Sequence, residues 1–364
     1  MKKALFIGML LLSLIAIVIG ISVSIKPKEK DKEGGKVVYF TSDISSKGMM
    51  KILEKVKPKV EGKIAIKVHF GEKGNRNFIN PELIKELVTN LNAVLIETNV
   101  LYVSDRRYTE SHKALAREHG FNFASIDIID DEGETVLQYN GKHFKEVRTG
   151  SHLKNYDTVI VISHFKGHVA QGFGGAIKNV GMGMASIPGK MSMHASAIPQ
   201  YSNSRCIQCG LCVPNCPVQA ITIDPVKIDE KKCIGCASCI GICPEQVFGV
   251  PWGSTDGNTF QERVTEYAAG ISQHTNMVYI NVLNNISAHC DCIGSAPPAF
   301  TDDIGILASF DMVAVDKACL DLVNEQTKLS DAFATHSHTS GNHQLDYAEE
   351  IGLGSKLYQL IDID

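Results

Sequence analysis

The run "DTVIVISHFKGHVAQGFGGAIKNVGMG", Asp157 to Gly183, decides the fold. From Val159 to Ile162 it is unbroken aliphatic, as a strand covered on both faces requires. It leaves that strand through His164, Lys166 and His168, then passes Gly172, Gly174 and Gly175 before a helical stretch holding Lys178 and Asn179. Strand, glycine-rich exit and helix in that order are the unit of a parallel sheet.

The same alternation runs outward on both sides. Upstream, "KVVYF" (36–40), "KIAIKVHF" (63–70) and "AVLIET" (93–98) read as strands. They alternate with the helical "SKGMMKILEKVKP", "PELIKELVTNLN" with Pro81 in its first turn, and "TESHKALAREHG" with Thr109 or Ser111 as cap and Gly120 as stop. Downstream, "TFQERVTEYAAGIS" and "AVDKACLDLVNEQ" read as helices, and "MVYINVLNNI" and "IGILAS" as strands. The fold expected is α/β: a mainly parallel sheet with helices on both faces. The alternation stops once, between about 204 and 249, which predicts a discontinuous domain (36–203 and 250–364) carrying an insert.

The insert says one thing twice. "CIQCGLCVPNCP" (206–217) and "CIGCASCIGICP" (233–244) both read C-x2-C-x2-C-x3-C-P and use eight of the eleven cysteines. A zinc ribbon needs two C-x2-C pairs and leaves the middle thiolates unexplained. Three thiolates on one short loop suit three corners of an iron–sulfur cube. Across Arg205–Val250 the insert resembles bacterial two-cluster ferredoxins. The resemblance implies two [4Fe–4S] clusters with crossed fourth ligands: Cys206, Cys209, Cys212 and Cys243 for one, Cys233, Cys236, Cys239 and Cys216 for the other.

In open parallel sheets, ligands gather at the carboxyl ends of strands. Three exits are rich in reactive side chains. "KVHFGEKGN" offers His69 and Glu72, and the opening stretch offers His164, Lys166, His168, Lys178 and Asn179. "NISAHCDCIGSAPP" offers His289, Cys290 and Cys292. His69, Glu72, His164 and His168 are candidate proton carriers. The backbone at Gly174 and Gly175, with Lys166, Lys178 and Asn179, is a candidate anion site, because consecutive glycines let N–H groups converge at a helix start. The bland alternative is a tight strand-to-helix turn. His289, Cys290 and Cys292 suit a further metal or a redox thiol, and a C-x-C disulfide is expected to be too strained to form. Cys319 reads as core packing, and "ATHSHTSGNH" as an exposed loop.

Net charge is −4, from 36 basic and 40 acidic residues, with no basic stripe interleaved with aromatics; this argues against nucleic acid. The uncharged run Ala4–Ile25 is long enough to cross a bilayer. It reads as an anchor with the folded part cytoplasmic, or as a cleaved export signal, followed by a polar linker over 26–35.

The exits "VHFGEKGN", "SHFKGHVAQGFGGAIKNVGMGMASIPGK" and "HCDC", with "DIGILASFDMVAVDKACLDLVN" after them and the cysteine insert between, resemble the iron–sulfur centre proteins of the domain-of-unknown-function 362 family. That likeness implies the α/β body with an inserted ferredoxin and implies no particular reaction. Three functions stay open: electron relay to a substrate site in the body, with an anionic small molecule and an electron partner protein; a pure electron-transfer subunit; and a ligand-binding protein with structural or sensory clusters.

Overall fold

A computed structural model describes residues 35–194 and 198–364. Eight strands form the main sheet: β1 (Lys36–Thr41), β2 (Ile64–Lys67), β3 (Val94–Glu97), β4 (Ile126–Ile128), β5 (Thr158–His164), β6 (Asn276–Leu283), β7 (Gly305–Ser309) and β8 (Tyr358–Asp362). Their order is β8-β1-β7-β6-β5-β2-β3-β4. Every neighbouring pair is parallel except the two made by β7, which runs against both β6 and β1. The expected α/β class stands, with one reversed strand.

Both faces are covered, as the aliphatic run of β5 requires. Val159 and Val161 point into one apolar cluster with helices α4 (Ala176–Gly181), α7 (Gly257–Ser272) and α8 (Met312–Thr327). Ile160 and Ile162 point into the other, with α1 (Ser46–Val56), α2 (Pro81–Asn90) and α3 (Thr109–Glu118). A strand's two-residue period produces this division. Helix α1 buries Met49, Ile52, Leu53 and Val56, the stripe of a 3.6-residue period, and Ser45 caps it by accepting from Gly48 N–H. Pro81 opens α2 as expected. Neither Thr109 nor Ser111 caps α3; Tyr108 holds that position through its extended backbone, without a side-chain bond. "ATHSHTSGNH" is also more ordered than a loop, because His336 lies in α9 (Ala332–Ser337) and stacks on Phe300, while His343 lies in α10 (Asn342–Glu350) and bonds Glu262.

The strand order creates one crevice. From β2 the chain proceeds to one side through β3 and β4, while β5 and β6 stack on the other side of β2. The carboxyl ends of β2 and β5 therefore flank a topological switch point, the usual place for a ligand in such sheets.

After α5 (Ile187–His194), the cysteine-rich segment has little regular structure: a hairpin of Ile221–Thr222 with Lys227–Ile228 and one short helix, α6 (Ser238–Ile242). A two-residue ladder, Gln200–Tyr201 with Phe248–Gly249, closes its neck. Its core is a third apolar cluster that includes Leu101 and Met191 from the body. Among the described residues no helix is long and apolar enough to cross a membrane. The run Ala4–Ile25 lies outside them.

Candidate functional site

The switch-point crevice is a cavity of about 170 Å³. Four strand exits build it. His69 comes from β2, Glu97, Thr98, Val100, Leu101 and Tyr102 from β3, His164, Lys166 and His168 from β5, and Cys292 from β6. Lys178 and Asn179 enter from α4, and Trp252 and Phe260 from the chain that returns from the insert.

Its cations are mostly committed. Lys67, fully buried in β2, lies 3.4 Å from Glu97 and donates to Asn179 Oδ1 at 2.9 Å. Arg106 reaches Glu72 at 3.4 Å and Glu97 at 3.8 Å, and donates to Tyr102 at 2.6 Å. Lys166 lies 3.1 Å from Asp291 and donates to the His164 carbonyl at 2.8 Å. Lys190 donates to Thr98 and to the carbonyls of Asn99 and Ala185. For Lys178, no acceptor lies within hydrogen-bond distance among the described residues. Burial, then the charge of Lys166, lowers its ammonium to about 7. A half-buried amine with no hydrogen-bonded acid, offset only by the charge of Asp291, is poorly compensated, and an anion would complete it.

The proposed proton carriers divide sharply. Glu72 accepts from Ser104 at 2.7 and 2.8 Å and does not line the cavity. Both ring nitrogens of His164 face oxygens, Asp291 Oδ1 at 2.8 Å and the Asn284 carbonyl at 2.7 Å. These two residues brace the walls. His69 sits 2.9 Å from Arg106 Nη1, and burial, then that guanidinium, keeps it neutral. His168 differs: its Nδ1 accepts from the N–H groups of Ala170 and Gln171, at 3.2 and 3.0 Å, and its other nitrogen has no partner among the described residues. Burial, then Lys178, keeps it neutral as well.

The glycine-rich exit meets an anion, but an internal one. Asp316 of α8 accepts from the N–H groups of Ala176 and Ile177 at 2.7 and 3.0 Å, and a Cβ on Gly175 would meet its carboxylate. The N–H groups at this helix start are therefore taken by the chain itself, which leaves Lys178 as the candidate for an anion. An unforeseen hairpin, Lys166–His168 with Gly172–Gly174, intervenes before α4.

At the β6 exit the structure joins Cys290 to Cys292, against the expectation from strain; the turn brings their Cα atoms to 5.3 Å, within disulfide range. The histidine beside them is His168. One of its nitrogens and both sulfurs lie within 4.8 Å of one another, a spacing at which a metal ion could be shared. His289 is outside that group, with its Nδ1 buried and unpartnered.

The eight motif cysteines carry free thiols and separate into two further small cavities. Cys206, Cys209, Cys212 and Cys243 line one; Cys216, Cys233, Cys236 and Cys239 line the other. The backbone repeats with the sequence. Gln208, Gly210 and Gln219 have positive φ, and so do Gly235, Ala237 and Gln246, each 27 positions on. Ala220 N–H and Val247 N–H, again equivalent positions, donate to Cys216 Sγ at 3.2 Å and Cys243 Sγ at 3.4 Å. Left-handed residues that turn N–H groups towards sulfur are what an iron–sulfur cube needs from its loop, so these residues fit one. Burial, then Cys236 and Cys233, pushes the Cys239 thiol up to about 12; a cation at the centre would reverse that. Cys319 is fully buried, as expected.

Sequence reasoning missed the β3 exit, which supplies Glu97, Thr98, Tyr102 and Arg106, and it missed Lys67 and Lys190. The signal was present: the Arg106–Arg107 pair follows a strand of the same parallel sheet.

A family model described as "Domain of unknown function (DUF362)" matches residues 64–321. No curated protein matches the chain. Similar solved structures include two that follow. The lactate racemase apoprotein of Thermoanaerobacterium thermosaccharolyticum is 15% identical, with a TM-score of 0.42 over 79% of this chain and 57% of its own. A Thermotoga maritima protein is 10% identical, with a TM-score of 0.39 over 77% and 58%. The chain thus spans less than two thirds of each.

Proposed function

The chain belongs to the family described as a domain of unknown function, DUF362, and from that premise we propose an iron–sulfur redox protein whose insert serves an anion-binding cavity in the body. The observation that carries the reading is the sorting of eight free thiols into two crossed quartets beside a cavity whose Lys178 has no hydrogen-bonded acid among the described residues. When bound, two [4Fe–4S] clusters would supply one-electron transfer at low potential.

The chain's own residues do the rest. Lys178 holds the anionic group of a small substrate. Arg106, Lys166 and Glu97 fix the walls through their ion pairs, and Trp252 and Phe260 help exclude water. A protein electron partner docks over the insert, where the equivalent residues Ile207 and Ile234 are each 62% exposed. The run Ala4–Ile25, with lysines on the body's side, tethers the protein to the cytoplasmic face of a membrane.

The test is a thermal-shift screen of small carboxylates and phosphates on anaerobically purified protein, with Lys178→Met beside it. Stabilisation of the parent alone, with the same reduced-state EPR signal in both, is expected. Equal shifts in both would remove Lys178 from the site, and no shift with any anion would leave a pure electron-transfer subunit.

A further inference from the structure

The turn Cys290–Asp291–Cys292 is pinned on two sides. The Asp291 carboxylate faces His164 and Lys166, its carbonyl accepts the Glu72 N–H at 2.8 Å, and the Ile293 carbonyl accepts the Asn75 amide at 2.8 Å. The central residue is the anchor, and the joined cysteines on either side of it are placed by that anchor. Cys290 is 2% exposed, while Cys292 lines the cavity that Lys178 also lines. A nucleophile entering the cavity therefore meets Cys292 first.

His168 decides between a metal and a redox pair. Two backbone N–H groups donate to its Nδ1, so the ring's proton sits on Nε2. A metal ligand must turn a lone pair to the ion; this ring's lone pair is taken by the backbone, and what remains is an N–H. One ring nitrogen lies within 4.8 Å of both sulfurs, and a ring N–H turned to that side would stabilise a thiolate.

We propose that Cys290 and Cys292 are a redox-active pair that undergoes thiol–disulfide exchange with a small anionic thiol or disulfide held by Lys178, with the His168 N–H stabilising the thiolate released at Cys290. This deepens the ligand reading of the cavity and does not depend on iron. In the oxidising direction for substrate, a substrate thiolate attacks Cys292 Sγ. The S–S bond breaks, a mixed disulfide forms at Cys292, and the bonding pair leaves on Cys290 as thiolate. A second substrate thiolate attacks the substrate sulfur of the mixed disulfide, releasing substrate disulfide and the Cys292 thiolate. Two electrons pass from two thiolates to the pair; the reverse sequence reduces a disulfide.

Peptide mass spectrometry on the full chain tests this. Iodoacetamide should leave Cys290 and Cys292 unmodified until a phosphine reductant is added, and should then label Cys292 faster. With Cys290→Ser, the anionic dithiodiglycolate should leave a stable adduct on Cys292, formed at least tenfold faster than with the cationic disulfide cystamine. Lys178→Met should erase that preference. In the reduced parent, His168→Phe should slow Cys290 alkylation at neutral pH at least tenfold, and His168→Gln, which keeps an N–H near the Nε2 position, should restore much of it. Labelling without reductant, no charge preference, or a tightly held metal released only by chelator would overturn the proposal. Iron-free protein that passes these tests would sink the cluster reading and leave this one standing.

Discussion

The body and the insert are held together by different physics. In the body, strand β5 buries all seven of its residues and the two faces of the sheet carry separate apolar clusters. In the insert, strands are two residues long, the helix has five, and four of its cysteines pack at the edge of its small apolar core. A unit of that size seldom buries enough apolar surface to fold unaided. On the proposed reading, the body needs only its side chains, and the insert needs the clusters its thiols would hold.

The largest effect should come from stripping the iron. Chelation in the presence of oxidant should abolish hydrogen-exchange protection across 204–249 while β5 and β6 keep theirs, because metal binding in such units is folding energy. An insert that stays protected without metal would break the contrast. Arg106→Met should come next: it leaves Glu72 without a cation and Glu97 with Lys67 alone, and should cost the body about 3 kcal/mol in denaturant melts, with the cluster spectrum unchanged.

The effect of pH is smaller and sharpens the picture of the cavity. Burial, then Lys166, lowers the Lys178 ammonium to about 7, so its charge should be lost as pH rises through that value. Affinity for an anion should be highest below pH 7 and should fall about tenfold per unit above it, until the higher pKa of the complex is passed. A flat titration-calorimetry profile from pH 6 to 8 would deny Lys178 its role. Smallest of all, Cys319→Ala should cost about 1 kcal/mol and leave iron content alone, since Cys319 is buried in α8 far along the chain from the motif.

What the sequence disclosed follows the same division. Periodicity exposed the strands and helices of the body because burial enforces it, and the doubled spacing exposed the crossed quartets because one backbone path is used twice. The β7 reversal left no mark, since an antiparallel strand buried on both faces is as aliphatic as a parallel one. Asp316 was hidden for another reason: a buried carboxylate in "AVDKACLDLV" declares its burial only once its partners, the Ala176 and Ile177 N–H groups, are known. Spacing alone could not show that the turn pinned by Asp291 brings Cys290 and Cys292 within reach of each other.

The most direct measurement is the iron and acid-labile sulfide content of the full chain purified without oxygen. The account predicts about eight of each per chain, from two four-iron cubes, with a reduced-state EPR signal from interacting clusters. Colourless protein whose motif cysteines are paired with one another, or hold zinc, would contradict it.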